Sequence, residues 1–306
     1  MDLGRFAPSP SGRMHLGNVF SALLAWLSAK STGGEILLRI EDLDPARSKT
    51  EYAEEIMEDF RWLGLTWDRR AENQSCRKDA YESALELLRQ KGLIYPCYCT
   101  RDQLHAASAP HASDGRVIYP GTCRNLTDAQ RTKMKKSPSL RICVPGEKIT
   151  FLDGLQGLQS LDLKQEWGDF IVCRADGVAA YQLAVVVDDG ESGVTQVVRG
   201  RDLLSSTPVQ IYLYQLLGLS VPQFYHVPML LAPDGRRLSK RDRDLDLGAL
   251  RGRWSPEKLL GLLAFQCGLI PAWEPVSAAE LAAEFSWAKV RKTDIVMDVE
   301  KILPEV

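Results

Sequence analysis

Residues 4–42 constrain the fold more tightly than any other part of the chain. "GRFA" (4–7) reads as a short strand that ends in the stiff turn Pro8-Ser9-Pro10. From Gly17 the apolar residues Val19, Phe20, Leu23, Leu24 and Leu27 recur at helical spacing until "STGG" (31–34) stops the helix. "EILLRIED" (35–42) is then a mostly buried strand. Strand, turn, helix and strand in that order make a βαβ unit. It predicts an α/β fold with a parallel sheet and ligands at the carboxyl ends of the strands.

Helical patterns follow over 50–63, starting near Thr50, and over 77–91, closed by Gly92. Residues 94–165 change character, with close cysteines, the polar stretch "HAASAPHASDG" (105–115) and short β-like segments, and read as an insertion. The α/β signal returns with "YQLAVVVDD" (181–189), "VTQVVRG" (194–200), a helix at 206–217 and "FYHVPML" (224–230). A loop over 231–241 precedes a helix opened by Ser255 and Pro256, a favourable cap and first-position pair. The expected division is 1–93 and 166–230 as two halves of one catalytic domain, 94–165 inserted between them, and 231–306 as a loop with a short helical region.

A chain of 306 residues, 45% hydrophobic and 25% charged, is of ordinary globular composition and suits one large domain with an insertion, or two domains. No charged-then-apolar leader follows Met1 and no apolar run reaches about 18 residues, so neither secretion nor membrane spanning is expected. Seven cysteines, an odd number, favour reduced thiols in the cytoplasm over a disulfide framework. The net charge of −2 excludes binding of nucleic acid by global attraction. Such binding must use local clusters: "RTKMKK" (131–136), "GRRLSKRDR" (235–243), "RGR" (251–253) or "KVRK" (289–292).

Two stretches carry chemistry. In "SGRMHLGN" (11–18), His15 and Gly17 stand at a helix start, where backbone N–H groups and the positive end of the helix dipole can receive an anion. Gly17 permits close approach to the backbone, and His15 can hydrogen-bond to phosphate oxygens. In "PDGRRLSKRD" (233–242), Arg236, Arg237, Lys240 and Arg241 lie on a glycine-containing loop. Mobile cations there can clamp a triphosphate and stabilise nucleotidyl transfer. Either stretch alone is also compatible with a capped helix or a basic surface loop.

Taken in order, the two stretches resemble class I aminoacyl-tRNA synthetases. "HLGN" (15–18) is similar to their HIGH signature, and "RLSKR" (237–241) to their KMSKS loop. "RFAPSPSGRMHLGN" (5–18) with "RIEDLDPAR" (39–47) narrows the resemblance to the glutamyl subgroup, and it covers 4–47 and 168–242. Asn18 replaces the final histidine and Arg237 the first lysine, changes the subgroup tolerates. The resemblance implies a Rossmann-type catalytic domain with a parallel sheet, and adenylation of glutamate by ATP with Mg²⁺. His15, Gly17, Asn18 and Lys240 would serve catalysis, with Arg237 and Ser239 also at ATP. Glutamate offers two carboxylates and an ammonium. Arg5 and Arg199, at strand ends, are placed to clamp the side-chain carboxylate with their bidentate forks. By resemblance Glu41 faces the ammonium, and Ser9 and Tyr181 complete the lining.

Within the insertion, Cys97, Cys99 and Cys123 supply three soft ligands where zinc wants four. Tyr119, His105 and His111 are candidates for the fourth. Side-chain acidity alone favours histidine over a phenol of pKa ~10, whereas Cys-x-Cys followed by Tyr-x-x-x-Cys resembles the zinc site of a short glutamyl-synthetase-like family and implies Tyr119. Such a zinc would be structural, in an insertion with little core of its own. Only 65 residues follow Arg241, too few for the helical anticodon-binding region of a full glutamyl-tRNA synthetase. The expectation is therefore a member of the glutamyl-queuosine tRNA(Asp) synthetases. That resemblance implies tRNA-independent activation of glutamate and its transfer to queuosine, at the wobble position in the anticodon loop of tRNA(Asp), by a monomer, with Asp44, Arg47 and 235–243 near the RNA. Two other readings remain: a compact enzyme that charges the 3′ end of tRNA(Glu), and a non-catalytic paralogue that binds nucleotide or RNA.

Overall fold

The opening βαβ unit forms as its sequence pattern predicts. In a computed structural model, which describes residues 1–100, 118–236, 238 and 246–298, strand β1 (Leu3–Phe6) leads through helix α1 (Leu16–Lys30) to β2 (Glu35–Leu38). β1 and β2 pair in parallel, Leu3 against Glu35 through Phe6 against Leu38. Helix α2 (Thr50–Trp62) then returns the chain to β3 (Arg69–Arg70), parallel to β2 on its far side. Helix α3 (Lys78–Gln90) ends the first half.

The insertion follows as β4 (Ile94–Cys97), β5 (Ser139–Ile142), the hairpin β6 (Lys148–Asp153) and β7 (Gly157–Asp162), and β8 (Phe170–Cys173). β4, β5 and β8 form an antiparallel sheet with β5 in the middle. Strand β8, which the expected division at residue 165 assigns to the returning catalytic half, thus pairs with the insertion. The chain then forms α4 (Tyr181–Glu191), β9 (Gln196–Gly200), α5 (Thr207–Leu217) and β10 (Gln223–Val227), with β9 and β10 parallel.

The apolar run 181–189 is a helix. Leu183 through Asp189 are all buried, and a helix covered on every side shows no apolar stripe by which its sequence could be told from a buried strand.

β1 and β9 meet at their amino ends, where Thr195 N–H donates to Leu3 O at 2.9 Å and Leu3 N–H donates to Thr195 Oγ1 at 2.8 Å. This sets the strand order β3-β2-β1-β9-β10, the doubly wound arrangement. Among the described residues no ladder joins β1 to β9 beyond that point. Their carboxyl ends flank a cleft instead.

Helices cover both faces because neighbouring strand residues point opposite ways. Ile36 and Leu38 join α1, α2 and the C-terminal helices in one core, while Leu3 and Leu37 join α3, α4 and α5 in the other. After β11 (Leu230–Leu231) come α6 (Leu247–Arg251), α7 (Pro256–Cys267), α8 (Ala278–Ala283) and β12 (Ile295–Val296), which pairs with β11. Ser255 caps α7 as expected, its side chain accepting from Lys258 N–H at 3.3 Å. Leu247, Leu259, Leu263 and Leu281 share a core with Phe20 and Leu23 of α1, so the C-terminal region is packed into the first half. No helix among the described residues is long and apolar enough to cross a membrane.

Asp188 ties α4 to the start of α3. It accepts from Gln74 Nε2 at 2.7 Å, Arg77 Nε at 2.7 Å and Tyr81 OH at 2.9 Å while 1% exposed. Asp188→Ala strands these donors and is expected to cost about 3 kcal/mol or more. Urea denaturation should report it as a lower midpoint at unchanged slope.

Candidate active site

The cleft holds about 550 Å³ and runs from the β1–α1 turn to the ends of β9 and β10, a size suited to a small-molecule ligand. At its floor His15 precedes the first turn of α1, and its backbone N–H donates to Asn18 Oδ1 at 3.2 Å. The imidazole lies over Gly17: a Cβ there would stand 3.2 Å from both Cε1 and Nδ1 of His15. The glycine therefore makes room for the histidine as well as for a ligand.

Arg237, Ser239 and Lys240 lie outside the described residues, but the chain on either side of them is at this cleft. Leu238 lines it, with its N–H on Leu230 O at 3.2 Å. Asp246 forms a bridge with His15, and Leu247 N–H donates to Met14 O at 3.0 Å. Gly248 admits the Arg13 guanidinium, which passes 1.5 Å from where a Cβ would be.

Above His15 the cleft is built from charge. Arg5 leaves β1 with Nε on Asp189 Oδ2 at 3.3 Å and Nη1 on Val198 O at 3.4 Å. Asp189 also holds Arg39, whose Nη1 lies 2.5 Å from Oδ1 and whose Nη2 donates to Glu41 at 2.9 Å. Burial pushes the Asp189 carboxyl up, but Arg39 and Arg5 outweigh it and hold it below the usual carboxylate range. For Glu41 burial prevails over Arg39 and raises the carboxyl, so an ammonium beside it would be a favourable partner. Ser9 is exposed on the rim, and Tyr181, 40% exposed, begins α4 at the cleft wall.

Arg199, 5% exposed, has different company. Nε donates to His226 Nε2 at 3.0 Å, Nη1 to Gln210 Oε1 at 2.8 Å, and Nη2 to Thr207 Oγ1 at 2.8 Å and Leu203 O at 3.4 Å. Every one of these acceptors is neutral. No carboxylate among the described residues pairs with Arg199. Burial lowers its pKa, and a buried cation without a counter-ion is a ready receptor for an anion.

The structure thus brings Arg5, Ser9, His15, Gly17, Asn18, Glu41, Tyr181 and Arg199 to one cleft. Sequence reasoning passed over Arg39, Asp188, Asp189 and His226. The signals were present: Arg39 stands two residues before Glu41 in a strand, "DDG" closes an apolar run, and His226 is alone in "FYHVP". Each is polar in a segment otherwise apolar, which demands a buried partner.

In the insertion the sulfurs of Cys97, Cys99 and Cys123 lie within 4.8 Å of one another. Tyr119 OH stands 3.4 Å from Cys97 Sγ and 3.8 Å from Cys99 Sγ and accepts from Cys123 N–H at 2.8 Å. Arg141 places Nε 3.2 Å from Cys97 Sγ and its guanidinium 3.8 Å from the centre of the Tyr119 ring. His105 and His111 are outside the described residues.

The model of the class I tRNA synthetase (E and Q) catalytic domain matches residues 3–293. A glutamyl-Q tRNA(Asp) synthetase of Symbiobacterium thermophilum is 49% identical, over 98% of this chain and 97% of its own. One of Nitratidesulfovibrio vulgaris is 46% identical, over 96% and 94%. The chain belongs to the glutamyl-Q tRNA(Asp) synthetase family, within the class I tRNA synthetases. Among solved structures, a glutamate tRNA ligase of Elizabethkingia meningosepticum in complex with its amino acid matches with a TM-score of 0.83 at 29% identity. That match covers 98% of this chain and 68% of the ligase. This synthetase is therefore an α/β enzyme whose two halves meet at the cleft described above.

Gly17→Ala tests the contact between the glycine and His15. The added methyl would crowd the imidazole at 3.2 Å, push it by a few tenths of an ångström and cover backbone open to the cleft, so glutamate-dependent ATP–pyrophosphate exchange should fall about 10-fold. Thermal unfolding should change little.

Proposed function

We infer that this chain activates L-glutamate with ATP in the absence of tRNA and then transfers the glutamyl group to queuosine, in the anticodon loop of tRNA(Asp). The observation that carries the amino acid is the buried Arg199, charged and surrounded by neutral acceptors alone. Glutamate supplies the missing anion in its side-chain carboxylate, with Arg5 as second donor. Arg5 Nη2 makes no hydrogen bond among the described residues, which leaves it for the ligand. Glu41 receives the ammonium, and Ser9 and Tyr181 complete the wall. The acceptor is carried by family membership: relatives 46–49% identical to this chain bear the name glutamyl-Q tRNA(Asp) synthetase.

In the first step an oxygen of the α-carboxylate attacks the α-phosphorus of ATP and the bond to pyrophosphate breaks. No side-chain nucleophile is needed, so acceleration comes from positioning and from donors aimed at the developing charge. His15, Asn18 and the first N–H groups of α1 face the phosphates, with Gly17 keeping the approach open. By resemblance to the KMSKS loop, Arg237, Ser239 and Lys240 supply further donors to the phosphates; of the described residues around them, Leu238 lines the cleft and Asp246 bridges to His15. Mg²⁺ bound with ATP would supply neutralisation of phosphate charge. In the second step a hydroxyl of the queuosine ring attacks the acyl carbon and AMP leaves. The chain acts as a monomer in the cytoplasm, where its thiols stay reduced.

Cys97, Cys99, Tyr119 and Cys123 fit a tetrahedral zinc that holds the insertion together. Burial pushes the Cys99 thiol up to about 11 and raises the Tyr119 phenol, so both keep their protons until a metal displaces them. Arg141 balances the negative charge that builds on this cluster. The folded chain is expected to hold about one zinc, bound more weakly as pH falls because protons compete for the ligands. Cys123→Ser should lose most of it, as read by elemental analysis after dialysis against a chelator.

The acceptor is tested with labelled glutamate, ATP and tRNA(Asp) trimmed of its terminal adenosine. Label should remain on trimmed tRNA that carries queuosine and be absent from tRNA that lacks it. Loss of label on trimming would instead identify the 3′ end as the acceptor.

A further inference from the structure

The hairpin of the insertion reaches into the glutamate pocket through one histidine. Asp153, the last residue of β6, and His226, in β10, are 2% and 0% exposed, and Oδ2 lies 2.6 Å from Nδ1. His226 is the register partner of Arg199 in the parallel pair β9–β10, so the two side chains are neighbours on one face of the sheet. Arg199 Nε stands 3.0 Å from the other ring nitrogen, Nε2.

The order of these contacts settles where the imidazole proton is. Arginine keeps its Nε–H at all ordinary pH, so Nε2 must be the acceptor and Nδ1 carries the hydrogen, donated to Asp153. A second imidazole proton would set two donors against each other. Burial and the nearby guanidinium oppose that proton and prevail over Asp153, so the ring is neutral. Asp153 is in turn fastened by its other oxygen, which accepts from the backbone N–H of Leu155 at 3.0 Å, Gln156 at 2.8 Å and His226 at 3.3 Å.

We propose that Asp153 and His226 are positioning residues that determine specificity for the glutamate side chain. They aim Arg199 through an imidazole acceptor and place a buried counter-charge one ring away from it. A carboxylate directly on Arg199 would neutralise it and compete with substrate. With no carboxylate in the neighbourhood, the buried cation would be costly to hold. The interposed ring satisfies both demands. It leaves the guanidinium charged, immobile and open to one incoming carboxylate, and gives no comparable partner to the neutral amide of glutamine. Thr207 and Gln210 finish the aim by accepting from Nη2 and Nη1. The inference rests on Arg199 being the partner of the substrate's side-chain carboxylate.

Asp153→Asn is the sharpest variant, because it keeps the oxygen that the three backbone N–H groups use and converts only the other into a donor. That donor needs Nδ1 as its acceptor, so the ring proton moves to Nε2 and faces Arg199. The cost of a wrong tautomer is familiar from catalytic triads. In ATP–pyrophosphate exchange the KM for glutamate should rise at least about tenfold and the KM for ATP stay within about twofold, as expected when one charge-assisted hydrogen bond to a single substrate is lost. Preference for glutamate over glutamine should narrow with it. His226→Asn keeps a donor for Asp153 and loses the acceptor for Arg199, whereas His226→Gln can restore that acceptor and should be the milder of the two.

Nitrogen-15 NMR of the unaltered protein gives a reading independent of any variant. The chain has four histidines, and His226 should appear as the neutral Nδ1–H tautomer. An Nε2–H tautomer there, or a glutamate KM unchanged in both Asp153→Asn and His226→Asn, overturns the proposal. Arg199→Ala separates this from failure of the underlying reading. A raised glutamate KM in Arg199→Ala alone defeats only the role of Asp153 and His226. An unchanged one shows that glutamate is held elsewhere.

Discussion

Asp189 holds two arginines at once, and the cleft takes its form from that grip. The carboxylate sits on α4, yet its partners come from the other half of the sheet: Arg5 from β1 and Arg39 from the continuation of β2. Among the described residues the backbones of β1 and β9 are hydrogen-bonded to each other only at their amino ends, so backbone pairing does not close the seam between them. Side-chain charge bridges it instead. A buried ion pair of this kind adds little net stability, because desolvation offsets most of its Coulombic gain. Its consequence is geometric: both arginines are immobilised, Arg39 fully buried and Arg5 at the cleft lining.

The pocket divides its cations by the company they keep. Arg39 is neutralised by Asp189 and Glu41 and serves as structure. Arg5 is half-committed, sharing Asp189 and keeping part of its fork. Arg199 meets only neutral acceptors. This gradation, from paired to unpaired, is what lets a site lined with carboxylates still attract one more. Glu41 lines the same cleft as Arg199, with its carboxyl raised by burial.

The insertion contributes at two distances. Its cysteine cluster is remote in the chain from the cleft and concerns local order, with the guanidinium of Arg141 lying against both a thiol and the phenol ring. Its hairpin ends on Asp153, which bears on Arg199 through His226. A segment that interrupts the catalytic domain in sequence is therefore continuous with the substrate pocket in space. The C-terminal region shows the same integration from the other side, where Trp287 reaches Ser28 of α1 with Nε1 3.2 Å from Oγ.

Much of this was legible in the residues themselves. The βαβ unit follows from helical spacing between Val19 and Leu27 flanked by two short apolar strands, because local periodicity alone decides whether a face can be buried. The candidates His15, Gly17, Arg5, Glu41 and Arg199 followed from motif order along the chain, and the grouping of Cys97, Cys99 and Cys123 from their close spacing, whereas Tyr119 was implied by family resemblance alone. What no local pattern could disclose is pairing across the fold. The run 181–189 is a helix whose residues 183–189 are all buried, so it shows no apolar stripe to distinguish it from a buried strand. Asp189 matters because two arginines from elsewhere converge on it, and Asp153 because a histidine 73 positions away completes its link to Arg199. Sequence by itself determined which chemical groups the chain owns and how each short segment bends. Only the tertiary structure decided which charges neutralise one another and which is left for the substrate, since that depends on distances between residues that periodicity does not relate.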